Sequence, residues 1–209
     1  MANIAYPVPK APQRTEEVIK KSRFICDIRR VQNRDEAKEF IASIKKEFPD
    51  ARHHCSAFIA GPSQTGDMGM SDDGEPQGTA GKPMLQVLQG SGIGDIAAVV
   101  TRYFGGILLG TGGLVRAYSG AVQQGLESLE VVMKVPMRVV TLEISYAQEG
   151  MLRRMLDDFS AKLEEQTFGT NITFTLIMPS DQVEKFAKTI IEETNGTAEV
   201  MIDENDIWI

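Results

Sequence analysis

The sequence predicts an α+β protein of two domains, and three observations carry that reading. A break in pattern falls near Val132–Pro136, after the longest helix-like stretch of the chain. Charge divides at the same place: residues 1–133 carry 15 Lys+Arg and 15 Asp+Glu, whereas residues 134–209 carry 7 and 14. The whole net charge of −7 therefore sits in the last third. On both sides of the break, apolar residues alternate between period 2 and period 3.6, the mark of mixed strands and helices. The expected domains are residues 1–133 and 134–209.

The elements follow in order. Residues 1–14 hold three prolines and little periodicity, so they are expected to form an extended arm. Ser22 to Val31 alternates, with Phe24, Cys26 and Ile28 on one face, and reads as a strand. Asn33 and Glu36 have the spacing of an N-cap with its returning acid. Ala37, Phe40, Ile41, Ile44 and Phe48 then keep helical spacing until Pro49 stops it. His54 to Ala60 is a second strand. Residues 61–81 read as one long Gly/Pro/Asp loop, which at that length is expected to be functional. Pro83 suits the first turn of a short helix, Lys82 to Gln89. Asp95 to Tyr103 reads as a buried strand. Thr111 opens the longest helix, with Leu114, Tyr118, Ala121, Val122, Leu126 and Leu129 on one face.

The C-terminal part is regular. Strand Val139–Ser145, helix Gln148–Phe159, strands Ala161–Thr167 and Asn171–Met178, a helix capped by Ser180, and strand Ala198–Ile202 follow one another. That is βαββαβ, the ferredoxin-like order.

Composition removes several classes. At 42% hydrophobic residues the chain can bury real cores. Its longest apolar runs, such as Ile96 to Val100, are too short to span a membrane. The first residues lack a basic segment followed by an apolar one, so no signal peptide and a cytoplasmic location are expected. Cys26 and Cys55 make neither a disulfide framework nor a CxxC knuckle, and read as buried thiols. The acidic C-terminal part argues against non-specific grip on phosphate backbones there. Lys20, Lys21, Arg23, Arg29, Arg30 and Arg34 leave that option open for the N-terminal part.

Two polar, glycine-rich runs stand out. Residues 72–83, Asp-Asp-Gly-Glu-Pro-Gln-Gly-Thr-Ala-Gly-Lys-Pro, offer almost no apolar surface. Residues 105–113 place five glycines in nine positions before the long helix. With Arg52-His53-His54-Cys55 and the stretch from Arg102 through Gly105-Gly106 and Gly110-Thr111-Gly112-Gly113 to Tyr118, these runs resemble the Impact family, in its bacterial YigZ-type branch. The motifs cover about residues 15–130, with Gln77 and Phe104 as ordinary variation.

The resemblance implies an N-terminal domain with the fold of the second domain of ribosomal protein S5. It also implies an acidic C-terminal domain resembling the last domain of the ribosomal translocase. Eukaryotic members regulate translation by competing for the activator of a kinase that bacteria lack. For a bacterial member the resemblance therefore implies contact with RNA or the ribosome, or with a translation-related protein partner, without an established reaction.

The residues themselves leave alternatives open. Asp72, Asp73 and Glu75 with His53 or His54 offer oxygen and imidazole ligands to a divalent cation. Their spacing matches neither an EF-hand nor HExxH, so a structural loop is expected and no metal. No catalytic residue is assigned, because no nucleophile–base motif stands out, and no cofactor is expected. Gly81-Lys82 is followed by Pro83 and so is not a Walker A loop. Thr79, Gly81 and Lys82 before one helix, and Thr111, Gly112 and Gly113 at the start of another, offer backbone N–H groups to an anion such as an RNA phosphate. Arg102, Arg116 and His54 are expected to add charge or hydrogen bonds, and Tyr103, Phe104 and Tyr118 to stack bases. The expected function is a non-enzymatic, translation-linked regulator that binds RNA or the ribosome. The alternatives are a protein-interaction adaptor, and a hydrolase using Asp72, Asp73, Glu75 and His54.

Overall fold

A five-stranded antiparallel sheet organises the N-terminal unit in the computed structural model, which describes residues 5–208. The chain divides into two compact units, one spanning Tyr6–Met133 and the other containing residues 134–208.

In the first unit the strands are β1 (Tyr6–Pro9), β2 (Gln13–Ile19), β3 (Ser22–Arg30), β4 (His53–Ala60), β5 (Asp67–Ser71), β6 (Ile96–Tyr103) and β7 (Val131–Lys134). The helices are α1 (Arg34–Glu47), α2 (Gly81–Ser91) and α3 (Thr111–Glu127). The sheet order is β2-β3-β6-β4-β5, and β1 pairs with β7 in a separate two-stranded ribbon. The central strand β6 is hydrogen-bonded on both sides, to β3 and to β4. It is accordingly apolar on both faces, with Ile96 to Val100 all fully buried.

Helices cover both faces. Met84 and Leu88 of α2 and Leu114, Tyr118 and Val122 of α3 pack on Phe24, Cys26, Cys55, Ala98 and Val100. Phe40 and Ile44 of α1 pack on the opposite face, against Phe58, Ala97 and Val99. This is the S5 domain 2-like layer. The α1 start is closed as its spacing predicts: the Asn33 side chain accepts from Asp35 N and Glu36 N, and the Glu36 carboxylate accepts from Gln32 N at 2.8 Å.

The structure corrects two expectations. The arm does not extend through residue 14. From Tyr6 onward it forms strands, and Gln13–Ile19 pairs in full register with Ser22–Ile28. The Tyr6 hydroxyl donates to Asp95 at 3.3 Å, which ties β1 down. Prolines hid this, because β1 takes few ladder bonds and tolerates them. Residues 1–4 lie outside the described residues. The long loop of 61–81 is likewise interrupted by β5, whose Asp-Met-Gly-Met-Ser carries too few β-branched residues to signal a strand.

The second unit holds β8 (Pro136–Ile144), α4 (Glu149–Asp158), β9 (Lys162–Phe168), β10 (Ile172–Pro179), α5 (Val183–Glu193) and β11 (Glu199–Trp208). Its sheet order β11-β8-β10-β9 is the ferredoxin-like one. Val140, Leu142, Phe174 and Leu176 face Leu152, Phe159, Phe186 and Ile190 in its core. The last strand outruns its expected end at Ile202, because Asp206 accepts from Arg138 Nε at 2.8 Å and Ser180 Oγ at 2.7 Å and so stays in the sheet. No helix among the described residues is long and apolar enough to cross a membrane.

Candidate functional site

The acidic run after β5 is a hydrogen-bonded scaffold. Asp72 Oδ1 accepts from Ala80 N and Gly81 N at 3.0 and 2.8 Å, and Oδ2 from Gly78 N at 2.8 Å. Burial alone would raise this carboxyl, but the three N–H groups hold it below its ordinary value. Ala80 offers no capping side chain, so Asp72 caps α2 from eight and nine residues upstream. Gly81 is required here, since a Cβ would press on the Ser71 backbone at 2.9 Å.

Asp73 works the other way, towards β4 and α1. Its backbone sits at φ 42, a left-handed conformation that Asp tolerates. Oδ1 accepts from Lys45 Nζ at 2.6 Å and Oδ2 from His54 N at 2.7 Å. Burial pushes its carboxyl up, but these donors outweigh burial and lower it. His54 is buried, and its Nε2 donates to the Phe48 carbonyl at 3.0 Å. His53 Nδ1 donates to the Asp73 carbonyl at 3.0 Å.

Glu75 turns into the interior. Its Oε1 accepts from Arg102 Nη1 at 2.6 Å and from the Tyr118 hydroxyl at 2.8 Å. The Glu75 and Arg102 side chains are 4% and 7% exposed. The Arg102 guanidinium lies 5.5 Å from the ring centres of Phe24 and of Phe104, and its Nε is buried without an acceptor among the described residues. Cys55 donates from Sγ to the Asp72 carbonyl at 3.0 Å, and burial pushes its thiol up to about 12. Cys26 is also buried and raised.

Above the Glu75–Arg102 pair opens a cleft of about 400 Å³. Arg52, His53, Glu75 and Arg102 line it on one side, and Pro76, Phe104, Leu108, Leu109 and Leu114 form its apolar wall. Gly110 and Thr111, the start of α3, complete it. No side chain among the described residues caps α3, because its N-cap is Gly110 at φ 73 and ψ 166. The first-turn N–H groups of a helix have no partner within it. The partial positive charge of the α3 start therefore faces the cleft.

The expected site residues divide. Arg102, Glu75, His53 and Thr111 line one cleft. Gly112 and Gly113 lie in the first turn of α3, and a Cβ on Gly112 would meet Arg116 Nη1 at 3.8 Å. Arg116 thus reaches back over that turn. The α2 start does not serve as a second anion site: Asp72 occupies its amides, Gly81 is buried, and the Thr79 hydroxyl donates to the Pro76 carbonyl at 2.7 Å. Lys82 is exposed on α2, and outside the lining of the cleft. Tyr118 is fully buried, so its ring is closed to a base, whereas Tyr103 is half-buried, donates its hydroxyl to Asp50 at 2.8 Å and has the Arg23 guanidinium 5.6 Å from its ring centre. Phe104 is 47% exposed and open to a base.

His54 lies beneath the site, not in it. Asp73 is bonded to the His54 backbone N–H, whereas Asp72 is held by the α2 start and Glu75 by Arg102 and Tyr118, so the four do not converge on one point. Among the described residues no three of His, Cys, Asp and Glu are grouped to hold a metal ion. The basic run after residue 19 is partly consumed, with Arg23 paired to Glu16 and Arg34 to Asp67. Sequence reasoning missed Arg52 and the Leu108–Leu109 wall. The signal was present, because Arg52 adjoins the two histidines and two leucines sit among glycines.

Fold and site together define a two-unit α+β protein whose N-terminal unit carries a cleft lined by arginines, apolar side chains and the start of α3. Comparison with known proteins then gives its kinship. Residues 20–126 match the Impact N-terminal domain, and residues 142–197 match a domain of unknown function, DUF1949. The chain is 46% identical over 192 residues to an IMPACT family member of Haemophilus influenzae, covering 91% of this chain and 93% of that one. It is 43% identical to the IMPACT family member YigZ of Escherichia coli, covering 93% and 96%. It is 42% identical to YvyE of Bacillus subtilis, covering 88% and 85%. A crystal structure described as that of a hypothetical protein superposes with a TM-score of 0.68 at 42% identity, over 96% of this chain and 98% of that one. The chain belongs to the Impact family.

Proposed function

We propose that this protein is a non-enzymatic, translation-linked regulator of the cytoplasm that binds RNA or the ribosome through the cleft of its N-terminal unit. One observation carries the reading: the uncapped start of α3 opens into the same cleft as Arg52, Arg102 and the exposed ring of Phe104. A helix start and arginines suit phosphate, and an exposed ring beside them suits a base. Arg52, in the cleft lining, and Arg116, outside that lining but over the first turn of α3, are exposed and make no ion pair among the described residues, so both are available to a phosphate. Family membership supports the link to translation, since the Impact name is shared with proteins that act there. The hydrolase alternative lacks support, because its four side chains are each engaged in the scaffold.

The test is fluorescence anisotropy of the full chain with ribosomal RNA and an unrelated oligonucleotide across a salt series. Binding should weaken as salt rises, and Arg52→Ala with Arg116→Ala should flatten the salt slope by about one for each phosphate no longer held. Absence of binding at low salt would reject the reading. One observation favours a protein-interaction adaptor instead. Phe104, Ile107 and Leu108 are exposed close together at the cleft mouth, with Leu108 at 83%. Under that alternative, Leu108→Asp would abolish capture of a protein partner and leave RNA affinity unchanged.

A further inference from the structure

We infer that the open face of the sheet in the second unit is a docking surface for a lysine- and arginine-rich segment of a protein partner. The inference goes beyond the cleft and does not depend on its reading.

Helices cover this sheet on one side only. Val140 and Leu142 of β8 point into a core closed by the buried residues of α4 and α5. Side chains alternate along a strand, so Thr141 and Glu143 point to the other side. Both are half-buried, between neighbours that are fully buried. Directly opposed residues of an antiparallel pair share a face. Glu199 and Met201 of β11 oppose Glu143 and Thr141. Glu165 of β9 opposes Thr175, which itself opposes Thr141. Glu165, Glu199 and Met201 are all exposed.

A solvated face is ordinary for an antiparallel sheet, but two features set this one apart. Glu143 and Glu199 are like charges directly opposite each other, which weakens a strand pair. Neither makes an ion pair among the described residues, and Glu143 receives only the Asn171 side-chain amide, at 2.9 Å. Local conflicts of this kind are expected at functional sites, where a ligand supplies the balance. Beside Glu199 on the same face, Met201 is 68% exposed, a flexible apolar side chain of the kind that adaptable binding surfaces use.

Charge decides what covers this face. Residues 134–209 carry 7 Lys+Arg against 14 Asp+Glu, so a phosphate backbone is repelled. A second copy meeting this face through its own would set acids against acids. A lysine or arginine side chain joins an aliphatic stem to a cationic head. The stem suits Met201, and the head suits the carboxylates of Glu143 and Glu199. Glu165 adds an acid on the far strand, so the surface favours a segment with several cations. Lys162 lies at the opposite corner of the face from Glu199, against Ile177, and makes no ion pair with the three acids among the described residues.

The experiment is fluorescence anisotropy of the full chain with a short labelled peptide of alternating lysine, arginine and valine, and with the same peptide carrying glutamate for each cation. The cationic peptide should bind, more weakly as salt rises, and the acidic one should not. Glu143→Gln/Glu199→Gln should weaken binding at least about tenfold, through loss of charge-assisted contacts to two acids. Asp157→Asn/Asp158→Asn, at two exposed acids of α4, changes the net charge equally and should leave binding unchanged. Met201→Ser should weaken binding at constant charge. Because Glu143→Gln/Glu199→Gln relieves a repulsion, its melting temperature should hold or rise, which separates lost binding from lost fold. Equal weakening by both pairs of changes would mean attraction by net charge alone and overturn the proposal, as would failure of the cationic peptide to bind. An RNA affinity or a self-association that falls with Glu143→Gln/Glu199→Gln would assign the face to RNA or to a second copy, and overturn it too.

Discussion

Arg102 on β6 and Glu75 in the loop before α2 form an ion pair at 2.6 Å with both side chains almost wholly buried. The pair ties the most polar run of the chain to its most apolar strand. Two charges taken from water cost several kcal/mol each, and mutual attraction with further hydrogen bonds offsets that cost only while both are present. Tyr118 supplies the further bond on Glu75.

Breaking the pair from one side should therefore be severe. Arg102→Leu is expected to cost about 3–5 kcal/mol in urea unfolding, whereas Arg102→Leu with Glu75→Leu should recover much of it. A double variant as unstable as the sum of both single changes would show that the two residues do not act as a unit. This is also why Arg102→Ala is a poor probe of ligand binding, and Arg52 and Arg116 are better ones.

Asp72 should behave as a remote helix cap. Asp72→Ala removes an acceptor from three backbone N–H groups and should cost about 2 kcal/mol by thermal unfolding. The folded carboxyls of Asp72 and Asp73 are both lowered, so the stability they supply is present above the unfolded aspartate value and is lost as pH falls through the folded one. Stability should drop below about pH 4. In Asp72→Asn/Asp73→Asn that drop should shrink, and an unchanged acid limb would place the titration elsewhere.

Two glycines should respond in opposite directions. A Cβ on Gly105 would run into the backbone of Lys21 and Ser22, so Gly105→Ala should destabilise strongly or misfold. Gly90 lies near the end of α2 with open space around it, and Gly90→Ala should raise the melting temperature through a gain of about 0.5 kcal/mol. A common response of both would contradict the placement of β3 against the 105–106 turn.

Neither thiol should react in the folded protein. Burial holds Cys55 up to about 12, and Cys26 is raised as well, so at about pH 8 both are protonated and shielded. A chromogenic disulfide reagent should count almost no thiols in the native chain and two after denaturation. Fast native labelling of one would mean that β4 or β3 opens readily.

Periodicity and capping by themselves determined the two-domain division in charge and pattern, the order of the C-terminal βαββαβ, the starts of α1 and α3, and the importance of residues 72–83 and 105–113. These are local signals: alternation, spacing of three and four, and caps within a few residues. Glycine and acid placement also marked both loops as special from the chain alone. Tertiary structure alone decided what those loops do. Asp72 caps a helix whose own N-cap is alanine, β5 exists because β4 offers it an edge, and Asp206 stays in β11 because Arg138 and Ser180 hold it. It also decided that the α2 start is internally occupied while the α3 start is open, and that Arg102 is a buried partner while Arg52 and Arg116 stand at the surface. Partner choice among charged groups depends on distances across residues far apart in the chain, and one dimension does not carry them.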